Sequence, residues 1–281
     1  MYPWFNFKGV NSAGAGLCVT KLPKIVVPAE RVKSVVIPGR AGELHLTEGE
    51  DVCDGYKKEI VVTCINDAIT PELENWLCGA GDLIVSNDQL FAYDARISGS
   101  VEFARLGNCL SQATIPFFVQ PFKKSVNEAQ YQQTISATAN IVNPGHIAAK
   151  PKLTMTGTGS LVLSCGGTVM TFTHRPVGGL LVDCEAEIMV ATAQAFDSSA
   201  YYYPGDYVKV TENSVVSLYR VTTEGTGNSV EWEYVGPAPT LFEYLWPGEW
   251  SGQYLRIPVG SSSIFVTGTA SITIDPRWRW K

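Results

Sequence analysis

The chain has 281 residues, of which 45% are hydrophobic, 11% aromatic and 17% charged, and its formal net charge is -6. That length suggests about two domains and suffices to bury a core without metal or disulfide staples. The negative balance argues against nucleic acid as a partner, and no run of about 18 apolar residues exists to insert into a membrane.

In chain order, strand signals dominate. From Ile25 to Leu46, two strand-like apolar runs lead into Pro38-Gly39-Arg40-Ala41-Gly42. Pro38 presets φ and the two glycines allow positive φ, so the segment predicts a β-hairpin. Ile60 to Ile65 is continuous and β-branched, as for a strand buried on both faces. Thr70-Pro71-Glu72-Leu73-Glu74 carries a cap, a first-turn proline and first-turn acids. Leu73, Trp76 and Leu77 follow as an apolar stripe and Gly79 as a stop, so one helix should pack on a sheet. Leu83–Val85 and Leu90–Tyr93 flank the polar turn Ser86-Asn87-Asp88-Gln89 and predict a hairpin. A second hairpin runs from Val101–Arg105 through Leu106-Gly107-Asn108-Cys109 to Ala113–Val119.

The stretch 123–140 is polar and loses strand periodicity, which places a domain boundary there. The expected division is 1–135 and 136–281. The second domain reads as a sandwich of short strands: 151–157, 161–165, 169–172, 180–185, 254–257, 263–266 and 270–274. Between 195 and 240 aromatic density jumps, which predicts an inserted small β module. Its order of Tyr203, Tyr207, Tyr219 and Trp232 is similar to that of small carbohydrate-binding modules of the chitin-binding type. Tyrosine and tryptophan faces stack on sugar rings, so these four are candidate glycan-binding residues; alternatively they form the module's own core. The end of the chain, Asp275-Pro276-Arg277-Trp278-Arg279-Trp280-Lys281, alternates Arg and Trp. Read as a strand, it is either packed or an assembly interface, with Arg277 and Trp278 as the candidates.

Signatures of chemistry are thin. Gly14-Ala15-Gly16 and Gly157-Thr158-Gly159 lack the rest of a nucleotide loop and read as turns. His45, His146 and His174 are far apart. Glu185 and Glu187 would share one face of a strand, solvated rather than catalytic. The seven cysteines are odd in number and show no C-x-x-C spacing, which fits free buried thiols in a reducing compartment. No metal, cofactor or catalytic residue is expected, and the N-terminal residues MYPWFNFKGVNS do not read as a secretory leader.

The order of motifs resembles the siphophage distal tail protein (Dit) family. Phe7-Lys8-Gly9-Val10-Asn11-Ser12 is similar to the family's opening segment. Ile37-Pro38-Gly39-Arg40-Ala41-Gly42 resembles its turn, Asp54-Gly55-Tyr56 the following strand region, and Pro116-Phe117-Phe118-Val119-Gln120-Pro121-Phe122 the end of its first domain. In the second half, Ala149–Leu153, Leu181–Glu185 and Arg277-Trp278 match, whereas Leu245-Trp246-Pro247-Gly248-Glu249-Trp250 departs from the family's L-x-P-G-x-N pattern at its end. The resemblance implies a mainly β chain of two sandwich-like domains, the first with one packed helix and the second galectin-like with the aromatic insertion. It further implies a structural, non-enzymatic role: a homohexameric hub ring built by the N-terminal domains, with the C-terminal domains pointing outward. That ring would join the tail-tube protein to a tail-tip or baseplate protein at the virion tail tip, after assembly in the bacterial host cytoplasm. Arg40 is then a candidate inter-subunit or tube contact, and a host surface glycan a candidate ligand of the insertion. The alternative is a carbohydrate-binding or adhesion protein with no hub role.

Overall fold

The structure is a computed structural model that describes residues 2–47, 51–65, 69–107, 109–212, 214–239, 242–246 and 248–281. Asn108 of the second predicted hairpin turn and Pro247 of the divergent motif lie outside the described residues. The chain divides into two compact units, Met1–Asn127 with Arg279–Lys281, and Glu128–Trp278. Among the described residues the only α-helix is the short Pro71–Trp76, and no helix is long and apolar enough to cross a membrane.

An eight-stranded antiparallel sheet forms the first unit. Its order is Val10–Asn11, Phe5–Phe7, Ala80–Val85, Phe91–Ile97, Leu110–Ser125, Tyr56–Ile65, Leu17–Lys21, and Phe103–Gly107 also pairs with Leu110–Ser125. Period-two alternation decides which side chains go inward. On Leu110–Ser125 the buried residues are Ser111, Ala113, Ile115, Phe117 and Val119; on Tyr56–Ile65 they include Lys58, Ile60, Val62 and Cys64. Pro116 sits in the middle of a paired strand, where a missing N–H is normally costly. Its carbonyl accepts from Ser98 N at 2.9 Å, on the side where the partner changes from Phe103–Gly107 to Phe91–Ile97. A residue's N and O point the same way from a strand, so the absent N–H faces that gap and breaks no ladder.

The predicted helix forms as Pro71–Trp76. Thr70 Oγ1 accepts from Leu73 N at 3.3 Å, and Leu73 and Leu77 are buried against the sheet. Trp76 stacks on Phe5 at 5.7 Å and donates Nε1–H to the Phe7 carbonyl at 2.9 Å. Both later hairpins form, as Ala80–Val85 with Phe91–Ile97 and as Phe103–Gly107 with Leu110–Ser125. The first hairpin forms as well, from Val32–Val36 and Glu43–Thr47. The earlier apolar run Ile25-Val26-Val27 takes no part in it: it is outside any strand, with Ile25 62% and Val27 76% exposed. Residues 123–125 also differ from expectation. Lys123 and Lys124 continue the long strand, pairing with Tyr93 and Ala92 beyond a bulge.

The second unit contains a six-stranded and a five-stranded sheet. Leu153, Met155, Leu180, Val182, Ile272 and Ile274 supply buried positions of the first; Leu161, Leu163, Met170, Phe172 and Ile264 supply those of the second. Arg175 is 1% exposed, and its guanidinium donates to four carbonyls: Gly159, Thr156, Thr158 and Thr269. It ties the 156–159 turn to the loop before the last strand. Within the unit, the insertion builds a four-stranded sheet from Gln194–Ala195, Tyr207–Glu212, Val215–Val221 and Trp232–Pro237. A two-stranded pair, Tyr201–Tyr202 with Gly225–Thr226, completes it.

Three expected strand segments take another form. Tyr254–Ile257 makes only the bridge between Ile257 and Ala149; Leu255 and Ile257 are nevertheless fully buried. Glu185 and Glu187 share no strand face, because Asp183 Oδ1 accepts from Glu185 N and Ala186 N at 3.1 Å and closes a turn in which Glu187 has φ +57°. The C-terminal Arg/Trp run is not a strand either. Arg277 has φ +52°, which breaks the extended path; Trp278 is 2% exposed in the second unit, and Trp280 pairs its backbone with Lys123 in the first.

Arg277 is held by a bidentate pair to Asp183, Nη1 to Oδ1 and Nη2 to Oδ2, each at 2.8 Å. The guanidinium holds the Asp183 carboxyl down at about 2. Folding therefore lowers this pKa, so the pair stabilises fully above pH 4 and loses its contribution as pH falls toward 2. Asp183→Asn should cost the second unit about 2 kcal/mol at neutral pH, and the deficit should shrink toward zero in acid. Urea unfolding of both proteins between about pH 7 and about pH 2 checks this; a deficit that stays constant would remove the ion pair as its cause. Arg175→Leu should cost about 3 kcal/mol or more, because it strands several buried carbonyls at once. A loss under about 1 kcal/mol would mean that those carbonyls find other donors.

Candidate functional site

Two features stand out from the packed units. One is the Val32–Val36/Glu43–Thr47 hairpin. Its turn needs Gly39 at φ +84° and Gly42 at φ +80°, and Arg40 N donates to the Ile37 carbonyl at 3.1 Å. The root is pinned: Arg31 N donates to Val52 O at 2.9 Å, Asp54 N to Ala29 O at 3.0 Å, and Arg31 pairs with Asp54 at 2.7 Å. Lys281 adds contacts to Glu30 and Asp51 at 3.7 and 3.3 Å. Beyond that root no residue of either strand is buried. Val36 is 71% exposed and Leu46 47%, with Val32 and Ile37 also open to solvent. Arg40 is exposed at the tip.

The other is the aromatic insertion, where the four candidate rings do not converge. Trp232 packs on Phe196 at 5.3 Å and Tyr202 at 5.5 Å, against a small core of Tyr202, Val208, Val221 and Val230. Tyr219 borders the same core and meets Tyr234 edge-on at 5.6 Å. Tyr207 lies on the opposite sheet face, opposite Arg220, and contacts Tyr244 at 4.5 Å and Phe242 at 5.3 Å. Tyr203 alone joins a wider array: it stacks on His174 at 3.8 Å, with Trp246 edge-on to that imidazole at 5.5 Å and Tyr201 edge-on to Tyr203 at 5.0 Å. The array grades from buried to open, with Trp246 and His174 each 7% exposed and Tyr201 44%.

Electrostatics at this array follow from burial. Burial pushes the His174 pKa down against the pull of Glu249 and Glu224, so the imidazole is neutral and stacks as a neutral ring. Asp206 is 3% exposed; burial pushes its carboxyl up to about 6, while the hydrogen bond it accepts from Tyr203 N at 3.0 Å works the other way. Asp206 therefore fixes the Tyr203–Tyr207 turn, which carries two half-buried rings. Sequence reasoning missed His174, Tyr201 and Trp246 here. Aromatic density marks Tyr201, but nothing in spacing couples His174 to the insertion.

The other candidates are placed individually. Arg277 is occupied by Asp183, with Glu185 Oε2 at 3.5 Å, and Trp278 is buried in its own unit. Among the described residues, no group of three His, Cys, Asp or Glu side chains is placed to hold a metal ion. Cys53, Cys64, Cys165 and Cys184 are buried free thiols; Cys18, Cys78 and Cys109 are free and exposed.

No protein-family model matches the chain, and no curated protein matches it by sequence. Among solved structures it is similar to the crystal structure of the SPP1 Dit (gp 19.1) protein, described as a paradigm of hub adsorption apparatus in phages infecting Gram-positive bacteria. The likeness covers 98% of this chain and 98% of that one, at a TM-score of 0.56 and 14% sequence identity. The chain has a Dit-like fold.

Proposed function

We propose that the chain is a structural subunit of a phage tail tip, in which copies of it close into a hub ring between the tail tube and the baseplate or host-recognition proteins. The observation that carries this reading is the likeness over nearly the whole chain to a protein of a phage hub adsorption apparatus. The exposed hairpin supports it. A lone two-stranded hairpin is marginal in water, and this one presents apolar side chains that its own unit leaves uncovered. A neighbouring subunit would cover them. The ring is six-fold, its inner wall is the first unit, and its role is mechanical rather than enzymatic. Its place is the virion tail, reached by assembly in the host cytoplasm.

Sedimentation velocity over a wide concentration range tests the ring. The expected result is a closed oligomer for the natural chain and a folded monomer for Val36→Asp/Leu46→Asp. A natural chain that stays monomeric at every concentration, alone and with its tube protein, would count decisively against the hub. Arg40→Glu should weaken the ring or its attachment to the tube; retention of both would leave Arg40 as a turn residue only.

A second reading, host-glycan binding by the insertion, is favoured by one observation, the graded array that ends in exposed Tyr201. On the original candidates, Tyr203 remains as a stacking residue, while Tyr219 and Trp232 serve the module core and Tyr207 a separate cluster. Tyr201→Ala should abolish any signal on a glycan array without changing the fold. No signal for the natural chain on any host glycan would end this reading and leave the hub untouched.

A further inference from the structure

A pocket of about 250 Å³ in the first unit is lined by Lys21, Lys24, Lys57 and Lys58 with Glu59 as its one carboxylate. In a chain of net charge -6 this is a local inversion of sign. We propose that it is a binding site for the carboxylate side chains of an acidic protein segment.

Lys58 underlies the wall of the pocket from the core face of its strand. It is 2% exposed, its Nζ donates to the Lys24 carbonyl at 3.1 Å, and it lies 4.2 Å from the Tyr93 ring centre. The carboxylate that acts on it, Asp88, is already engaged: Asp88 Oδ2 accepts from Tyr93 OH at 2.5 Å and from Lys123 Nζ at 3.1 Å. Asp88 is thus paired with Lys123 and acts on Lys58 only through its field. Burial pulls the Lys58 ammonium down to about 8. The carboxylates of the ligand meet the exposed ammonium groups of Lys21, Lys24 and Lys57. Lys58 also pins Lys24 through its carbonyl, so the wall of the pocket is held in place before any ligand arrives.

The lining selects among anions. Leu22 and Val61 give it an apolar wall, which suits the methylene stem of a glutamate better than a bare hydrated ion. Glu59 in the rim and the acidic balance of the chain disfavour a polyphosphate backbone, which needs an extended basic stripe. The partner is therefore read as a protein segment rich in Glu or Asp.

The test is fluorescence anisotropy of the full chain titrated into a labelled oligoglutamate peptide, with an oligoglutamine peptide as control. Saturable binding is expected for oligoglutamate only, weakening with added salt. Lys24→Glu/Lys57→Glu changes two exposed residues, so folding should survive, as circular dichroism would verify, and affinity should fall about tenfold or more. Lys33→Glu, an exposed charge reversal on the hairpin, should bind like the natural chain. Several outcomes overturn the proposal: no binding, equal binding of oligoglutamine, natural affinity in the double variant, or an equal loss in Lys33→Glu. Competition gives one more. Displacement of the peptide by inorganic phosphate at concentrations where acetate is inert would reassign the pocket to a free anion.

Discussion

The first unit depends on one ladder, the run of ten consecutive pairs between Leu110–Val119 and Tyr56–Ile65. Both strands are interior to the sheet, and register there decides the fate of every side chain they carry. A slip of one residue would exchange Ile60 and Val62 for Glu59 and Val61 at the core face. The register that buries Ile60 and Val62 also buries Lys58, because all three lie on the same side of the strand. The ammonium cannot leave without breaking the ladder, so the interior accommodates it through the Lys24 carbonyl, the Tyr93 ring face and the field of Asp88. A hydrophobic pattern thus imposes an electrostatic one: the same register sends Lys57 and Glu59 to the opposite, exposed face.

The exposed hairpin is the opposite case. Glu43–Thr47 alternates in sequence, yet neither face of the hairpin finds a core, and among the described residues its support is at the root. Energetically it is the part of the first unit that gains least from its own chain. The same imbalance is visible in the composition, where low charge and high aromatic content describe a chain with more apolar surface than its own cores absorb. Assembly is the simplest way to offset it. The hub reading thus draws on fold likeness for its identity and on the hairpin for its physical motive.

Much of the fold was legible because its signals are local. Pro38-Gly39-Arg40-Ala41-Gly42 specifies a turn by backbone preference alone, and Thr70-Pro71 starts a helix by satisfying orphan donors. What was not legible depends on partners far along the chain. Tyr254–Ile257 reads as a strand because Leu255 and Ile257 are apolar, but their burial comes from side chains and a single bridge rather than from a ladder. The terminal Arg/Trp run reads as a strand until the Asp183–Arg277 pair is known, since that pair accompanies the left-handed backbone at Arg277. Lys58 was hidden for a related reason: the apolar run begins at Ile60, and nothing in it says that the strand starts earlier, at Tyr56.

The aromatic insertion shows how geometry divides residues that composition groups together. Directly paired residues on neighbouring strands share a sheet face. Tyr219 pairs with Val208 and Trp232 with Val221, so both rings turn toward the buried valines, while Tyr207 pairs with Arg220 on the other face. A module this small cannot bury a core and also present the same rings to a ligand. The rings that can stand open to solvent are therefore those that the core does not use. Tyr201 is such a ring, carried on a two-stranded edge and backed by Tyr203 and His174. That division, rather than the number of aromatic residues, decides which rings of the insertion stand open to solvent.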